Sequence, residues 1–248
     1  MWSWFRHELA ASIDLLLPPA CLLCGNLLAT SLDGQSFCVD CLVAMPPLSP
    51  AHCCCCAQPF PSATSNHLCG TCLQRPPSFS MVHAAGMYQD SVKEAVHQLK
   101  YRNQLTLAKP LGQLLGKVIS AADNNFVPDQ IIPVPLHPDR LRELGYNQAL
   151  EVARPIARQL GIPIDTTLLQ RNRKTQQQQG LSAIERKSNL RNAFTLASKA
   201  SAFKILLIDD VMTTGETVRE CSRALLAGGV AEVQVAVVDR SLSINLCR

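Results

Sequence analysis

Lys204-Ile-Leu-Leu-Ile-Asp-Asp-Val-Met-Thr-Thr-Gly-Glu-Thr-Val218 is the stretch on which the fold turns. It opens with the continuous apolar run Ile205 to Ile208, too short for a helix and rich in branched side chains, which is how a parallel strand buried on both faces reads. Asp209 and Asp210 end that strand. A loop of small and hydroxyl residues follows, Thr213-Thr214-Gly215-Glu216-Thr217, and then a helical pattern over Val218 to Leu226 that Gly228-Gly229 stops.

What each part can bond indicates a ligand. Backbone N–H groups at the start of a helix are unpaired and sit at the positive end of its dipole, so Thr213 to Thr217 form a natural phosphate cradle with hydroxyls as extra donors. Gly215 lets a phosphate approach the backbone. Two carboxylates at the carboxyl end of the strand stand where open α/β sheets bind ligands, and as acceptors they suit the vicinal hydroxyls of a ribose. A phosphate beside a diol is a ribose 5-phosphate. The bland reading of the same residues is a strand-to-helix turn in which a threonine caps the helix.

The pattern of four apolar residues, two acids, two variable residues and Thr-Thr-Gly-x-Thr resembles the phosphoribosyl-pyrophosphate (PRPP) motif of type I phosphoribosyltransferases. The resemblance implies that Asp209 and Asp210 hold the ribose hydroxyls as the catalytic acids and that Thr213, Thr214, Gly215, Glu216 and Thr217 hold the 5-phosphate.

The rest of the chain supports a folded protein with a second, metal-rich part. Its 248 residues are 47% hydrophobic and 17% charged, which excludes wholesale disorder. The net charge of +4 permits contact with phosphates or nucleic acid without demanding it. Ten of the 12 cysteines fall between Cys21 and Cys72. Charged residues and Pro18-Pro19 interrupt the apolar start, nothing reaches membrane-spanning length, and the chain reads as cytoplasmic, where clustered cysteines bind metal rather than pair as disulfides.

The cysteines form four Cys-x-x-Cys knuckles: Cys21/Cys24, Cys38/Cys41, Cys53/Cys56 and Cys69/Cys72. Two knuckles complete one tetrahedral structural site, so four predict about two zinc ions. Intervals of 13 residues between Cys24 and Cys38 and 12 between Cys56 and Cys69 are zinc-ribbon spacing, and favour sequential over interleaved pairing. Cys54 and Cys55 inside the third knuckle, and His52 and His67 beside it, are alternative ligands. Before the ribbons, Trp2, Phe5, Leu9, Ile13 and Leu16 recur at helical spacing.

Arg75-Pro-Pro-Ser-Phe79 is a proline-broken connector, which divides the chain into residues 1–78, a helix and double zinc ribbon, and residues 79–248, an α/β domain with a parallel sheet flanked by helices. Within the latter, Val82 to Tyr88 and Ile131 to Leu136 read as strands. Ser91 to Lys100, Leu105 to Ile119 and Asn147 to Leu160 read as helices, and Leu168 to Gln170 and Glu232 to Val238 as further strands. Between strand and helix, His137 to Gln148 reads as a basic loop. In a phosphoribosyltransferase-like sheet it is where pyrophosphate would bind, through Arg140, Arg142, Gly145 and Asn147, while taken alone it reads equally as a solvated basic loop. Arg171 to Arg191 is basic and glutamine-rich and reads as a lid or a surface loop, a position between two strands of the catalytic sheet favouring the lid.

Taken together, these features resemble the ComF family, in which a double zinc ribbon precedes a phosphoribosyltransferase-like domain. The resemblance rests on Pro18-Pro-Ala-Cys-Leu-Leu-Cys-Gly25, His97-Gln-Leu-Lys-Tyr101, Pro133-Val-Pro-Leu136, Gly145-Tyr-Asn-Gln148, Gln178-x-x-Leu-Ser182, Arg186-x-x-Asn189, Ala193-Phe194 and Leu207-Ile-Asp-Asp-Val-Met-Thr-Thr-Gly215. The family usually has arginine before Gly145, where this chain has Leu144. It implies PRPP with Mg²⁺ as ligands, and a role in the uptake or use of DNA with other competence proteins. Two classes stay open: an enzyme transferring phosphoribosyl from PRPP, and a binding module that holds single-stranded DNA with a vestigial nucleotide site.

Overall fold

The computed structural model describes residues 18–28, 36–60, 65–87, 90–122, 125–173, 190–200 and 203–241. The apolar stripe of residues 2–16 and most of the glutamine-rich segment lie outside them.

The Lys204–Met212 strand (β5) lies inside a four-stranded parallel sheet with Val82–Met87 (β1), Gln130–Pro133 (β2) and Glu232–Arg240 (β6), in the order β1-β6-β5-β2. Its apolar run is buried on both faces, as a continuous hydrophobic run in a parallel sheet must be. Ile205 and Leu207 face one core and Leu206 and Ile208 the other. The strand also runs past the acids. Its ladder with β6 passes from Asp209↔Val237 to Val211↔Asp239, so Asp209 and Asp210 lie within the strand rather than at its end. The added pairing comes from β6, which local hydrophobicity does not reveal.

One face of the sheet carries Asp90–Tyr101 (α3), Ala108–Ala121 (α4) and Gln148–Leu160 (α6); the other carries Glu216–Ala227 (α7). Helices α4 and α6 pack closely. A methyl group on Gly112 would lie 2.4 Å from the Pro155 ring and 2.5 Å from the Val152 carbonyl oxygen. Gly112 thus leaves the room that the ring of Pro155, inside α6, occupies.

Leu169–Arg171 (β3) does not join the main sheet. It pairs antiparallel with Phe194–Leu196 (β4) in a separate two-stranded ribbon packed on the α7 side. The Arg171 to Arg191 segment therefore leaves from the last residue of β3 and is followed by β4 at Phe194, both in that ribbon and not in the main sheet.

The cysteine-rich part contributes two short helices, Val39–Val43 (α1) and Gly70–Gln74 (α2), each beginning directly after a knuckle cysteine. Cys21, Phe37, Cys41 and Met45 merge with the core on the α3/α4/α6 face; Cys53, Cys56, Cys69 and Cys72 merge with the core on the α7 face. Each knuckle pair is thus packed against a different side of the sheet.

Candidate functional site

The eight knuckle cysteines gather into two clusters, Cys21/Cys24/Cys38/Cys41 and Cys53/Cys56/Cys69/Cys72, with all sulfurs of each within 4.8 Å of one another. The pairing is sequential. Cys24 Sγ and Cys38 Sγ are 3.6 Å apart and Cys56 Sγ and Cys69 Sγ 3.7 Å apart, close to the roughly 3.8 Å edge of a tetrahedron with Zn–S of about 2.3 Å. Backbone N–H groups of Cys56 and Cys69 donate to Cys53 Sγ at 3.5 and 3.3 Å, which favours a thiolate there. The donor set and its shape fit zinc. The other candidate ligands stand apart: Cys54 is exposed, Cys55 Sγ lies 3.7 Å from the Phe79 carbonyl oxygen, His52 Nδ1 is 2.7 Å from the Ser49 carbonyl oxygen, and His67 stacks on Phe60.

At the β5–α7 turn the residues from Val211 to Val218, with Asp209, line a shallow cavity. Gly215 is the N-cap of α7 with φ of +79°, a left-handed conformation that side chains disfavour, and it offers no side chain to cap the first amides. The sequence reading gave this glycine the task of letting phosphate approach. The structure adds a backbone reason, since a Cβ there would be strained and would meet the Met212 methyl at 2.5 Å.

The two acids are adjacent on one strand and so face different sides of the sheet. Asp209 is half-buried and lines the cavity. Burial, followed by the charge of Asp210, pushes its pKa up to about 7, against the opposing pull of Lys100. Asp210 is buried on the α3 side, where Lys100 Nζ lies 3.0 Å from its Oδ1. Burial works against the Lys100 ammonium, but Asp210 and Asp209 outweigh it and raise its pKa. Each carboxylate also accepts a hydrogen bond from the next residue's backbone: Asp210 N–H donates to Asp209 Oδ1 (3.0 Å) and Val211 N–H to Asp210 Oδ1 (2.7 Å).

In the sequence Lys100 stands only at the end of a helical pattern and within His97-Gln-Leu-Lys-Tyr101; the fold is what places it beside the acids. Asp239 was missed too. It is fully buried at the end of β6, neither oxygen has a hydrogen-bond partner among the described residues, and burial pushes its pKa up to about 8.

The basic stretch expected as a loop is mostly a helix, Pro138–Leu144 (α5). His137 Nδ1 caps it by accepting from Asp139 N–H, Pro138 opens it, and Gly145, at φ of +78°, ends it. Arg140 pairs with Glu143 at 2.9 Å and Arg142 with Asp139 at 3.0 Å along the helix surface. Asn147 is a helix cap: its Oδ1 accepts from Ala149 and Leu150 N–H, and its Nδ2 donates to the Val134 carbonyl oxygen at 3.0 Å. Tyr146 donates to the Leu99 carbonyl oxygen at 2.6 Å, tying this turn to the end of α3 that carries Lys100. Cradle and acids therefore come together around β5, while Arg140, Arg142 and Asn147 have intramolecular partners of their own.

Comparison with known proteins agrees with this architecture. Residues 12–73 match the double zinc ribbon domain and residues 147–242 the phosphoribosyl transferase domain. The DNA utilization protein YhgH of Salmonella typhimurium is 37% identical over 186 residues, covering 74% of this chain and 82% of that protein. Competence protein F of Haemophilus influenzae is 37% identical over 173 residues, covering 67% and 76%. Competence protein ComFC of Bacillus subtilis is 28% identical over 149 residues, covering 58% and 57%. Among solved structures, the glutamine PRPP amidotransferase of B. subtilis has a TM-score of 0.37 and 20% identity, covering 54% of this chain and 26% of that one. With ribbons, transferase domain and relatives 37% identical over two thirds or more of the chain in agreement, the chain belongs to the ComF family of competence and DNA-utilization proteins.

Proposed function

We propose that the protein binds PRPP or a related ribose 5-phosphate ligand at the β5–α7 turn and transfers its phosphoribosyl group to an acceptor. The observation that carries this reading is the cavity formed by Asp209 and residues 211–218 over a helix start capped by a left-handed glycine. The 5-phosphate takes the amides and hydroxyls from Thr213 to Thr217, and Asp209 accepts from the ribose diol. Asp210, on the far side of the strand, holds Lys100 in an ion pair at 3.0 Å. In the transfer, the acceptor forms a bond to C1′ while the bond from C1′ to pyrophosphate breaks. Magnesium suits this role: its preference for carboxylate and phosphate oxygens fits Asp209, and it would offset charge on the departing pyrophosphate. Arg140 and Arg142 would serve that leaving group only by releasing Glu143 and Asp139. Residues 1–78 act as the metal-bound unit and 79–248 as the transferase unit. A cytoplasmic location keeps the cysteines reduced and able to ligate metal.

Pyrophosphate release with PRPP, Mg²⁺ and a panel of nucleobases tests the activity. Release that depends on one base and disappears in Asp209→Asn supports it; no release and no calorimetric PRPP binding refutes it.

A second reading is favoured by the DNA-related names of the relatives and by the exposed Arg142 on α5. In it, the ribbons and basic surface hold single-stranded DNA, together with other competence proteins, and the nucleotide site senses rather than catalyses. Anisotropy with a labelled oligonucleotide, with and without PRPP, separates the two: DNA binding altered by PRPP without turnover marks the sensor.

A further inference from the structure

Arg240 closes β6 and is 3% exposed, yet its guanidinium faces no carboxylate within hydrogen-bonding distance among the described residues. It is instead surrounded by neutral acceptors from separate parts of the chain. Nε donates to the Cys56 carbonyl oxygen at 2.9 Å and Nη2 to Gln58 Oε1 at 2.9 Å. Nη1 donates to the carbonyl oxygens of Met212 (3.0 Å), Thr213 and Ser241 (2.7 Å). Cys56 belongs to the second cysteine cluster, and Met212-Thr213 opens the phosphate cradle. One buried fork thus joins a metal knuckle to the loop that would hold the ligand.

The knuckle side of this joint is set by the cluster itself. Cys56 N–H donates to Cys53 Sγ, and Ala57 N–H to the Cys53 carbonyl oxygen at 2.9 Å, so the Cys56 carbonyl points where the Cys53–Cys56 turn puts it. A filled cluster holds that turn; an empty one leaves four thiols free to separate and repack. On the cradle side, the carbonyls of Met212 and Thr213 are the last backbone acceptors before the amides of residues 214–217. Fixing them fixes the peptide planes that carry the Thr213 and Thr214 amides, from which the rest of the cradle continues. A second tie runs parallel, since Arg219 on α7 donates to the Arg75 carbonyl oxygen at 3.2 Å and lies over the Phe79 ring. The first cluster packs on the opposite face of the sheet, and the side-chain bond to its first knuckle, Gln104 Nε2 donating to the Leu22 carbonyl oxygen at 2.9 Å, leads to the α3–α4 connection rather than to the cradle.

We infer that Arg240 is a positioning residue that makes the shape of the phosphate cradle depend on the metal-filled state of the second cysteine cluster and not of the first. The inference rests on the reading of residues 213–217 as a phosphate site, but the joint can be tested without a ligand.

Hydrogen exchange on the full chain is the test, with zinc content measured on each sample. In Cys72→Ser, amides 213–217 should exchange about tenfold faster or more, while those of β1 and β2 keep their protection. In Cys41→Ser, exchange at 213–217 should stay within about twofold of wild type, although that variant also loses one metal. Gln58→Leu and Arg240→Lys cut the joint while leaving all cysteines in place. Both should speed cradle exchange at unchanged zinc content, with Arg240→Lys, which keeps the charge but not the fork, the more affected. If Cys72→Ser fails to fold, these two variants decide. Cradle exchange unchanged in both, or equal loosening by Cys41→Ser and Cys72→Ser, overturns the proposal. Calorimetry with PRPP and Mg²⁺ on the same samples distinguishes the two levels. If wild type does not bind PRPP but its cradle loosens as described, the ligand reading fails and the joint stands. If PRPP binds alike to wild type and to both joint variants, and their exchange is unchanged, the joint fails and the ligand reading stands.

Discussion

Replacing Asp209 and Asp210 separately by asparagine should give two different phenotypes, because the strand sends the neighbouring carboxylates to different surroundings. Asp209 lines the cavity, so its asparagine variant keeps a carbonyl acceptor but loses charge toward the ribose diol. One charge-assisted hydrogen bond contributes about 1.5–3 kcal/mol, which predicts PRPP binding about 10- to 150-fold weaker. Asp210 faces Lys100 instead. Its replacement leaves the ammonium without its 3.0 Å partner, in a place where the lysine side chain is 29% exposed and the aspartate 10%. The cost should fall between that of an exposed pair, under about 1 kcal/mol, and that of breaking a buried one, about 3–5 kcal/mol, and we expect about 2 kcal/mol of lost stability.

Acidity adds a signature. Burial and Asp210 push the Asp209 pKa up to about 7, whereas an unfolded chain has about 3.9. The native state then binds the proton more tightly, so this group's contribution to stability is present at low pH and is lost as pH rises from about 4 to about 7. Asp209→Asn removes that loss and should be more stable than wild type at pH 8, roughly, while binding PRPP less well. Binding by wild type should strengthen as Asp209 ionises through about pH 7, and this dependence should vanish in the variant. Calorimetric titration with PRPP and Mg²⁺, and chemical denaturation on either side of that pH, measure both quantities. Wild-type PRPP affinity in Asp209→Asn above pH 7 or so would refute the assignment of the cavity acid.

Three further outcomes are expected. The isolated protein should carry about two zinc ions, and chelation should unfold the ribbons, with protection lost around the cysteines before the sheet; metal-free protein with intact ribbon protection would contradict it. Asp239, whose pKa burial pushes up to about 8, should make stability fall as pH rises between about 4 and 8 by at most about 1.4 kcal/mol per unit, and Asp239→Asn should flatten that fall; an unchanged profile would show that the group is not buried with its proton. If DNA binds through the basic surface, Arg142→Glu combined with Arg173→Glu should reduce the slope of log affinity against log salt by about 1.4 for a single strand, and an unaltered slope would move the surface elsewhere.

What was legible in the sequence was what depends on neighbours in the chain. Ile205 to Ile208 announced a doubly buried strand, and four Cys-x-x-Cys knuckles announced two metal clusters whose spacing already favoured the pairing observed. Where the local reading failed, a local signal had in one instance been present: Pro138 at the first helical position, Gly145 as the stop, and ion pairs three residues apart mark α5 as a helix, but the charges drew attention to a phosphate loop instead. The other misses had no local signal. Met212 belongs to β5 because β6 continues beside it, and Leu169 pairs with Leu196 because that ribbon packs on α7. Lys100, Asp239 and Arg240 are ordinary charged residues near the ends of elements until folding removes water from them. Their roles come from desolvation and from partners distant in sequence: Asp210 for Lys100, and Cys56, Gln58 and Thr213 for Arg240. Charge costs little in water and much in the interior, so a buried charge acquires meaning only from what the fold places against it. The motif residues name a ligand chemistry, whereas the buried charges beneath them determine how the loop that meets the ligand is held.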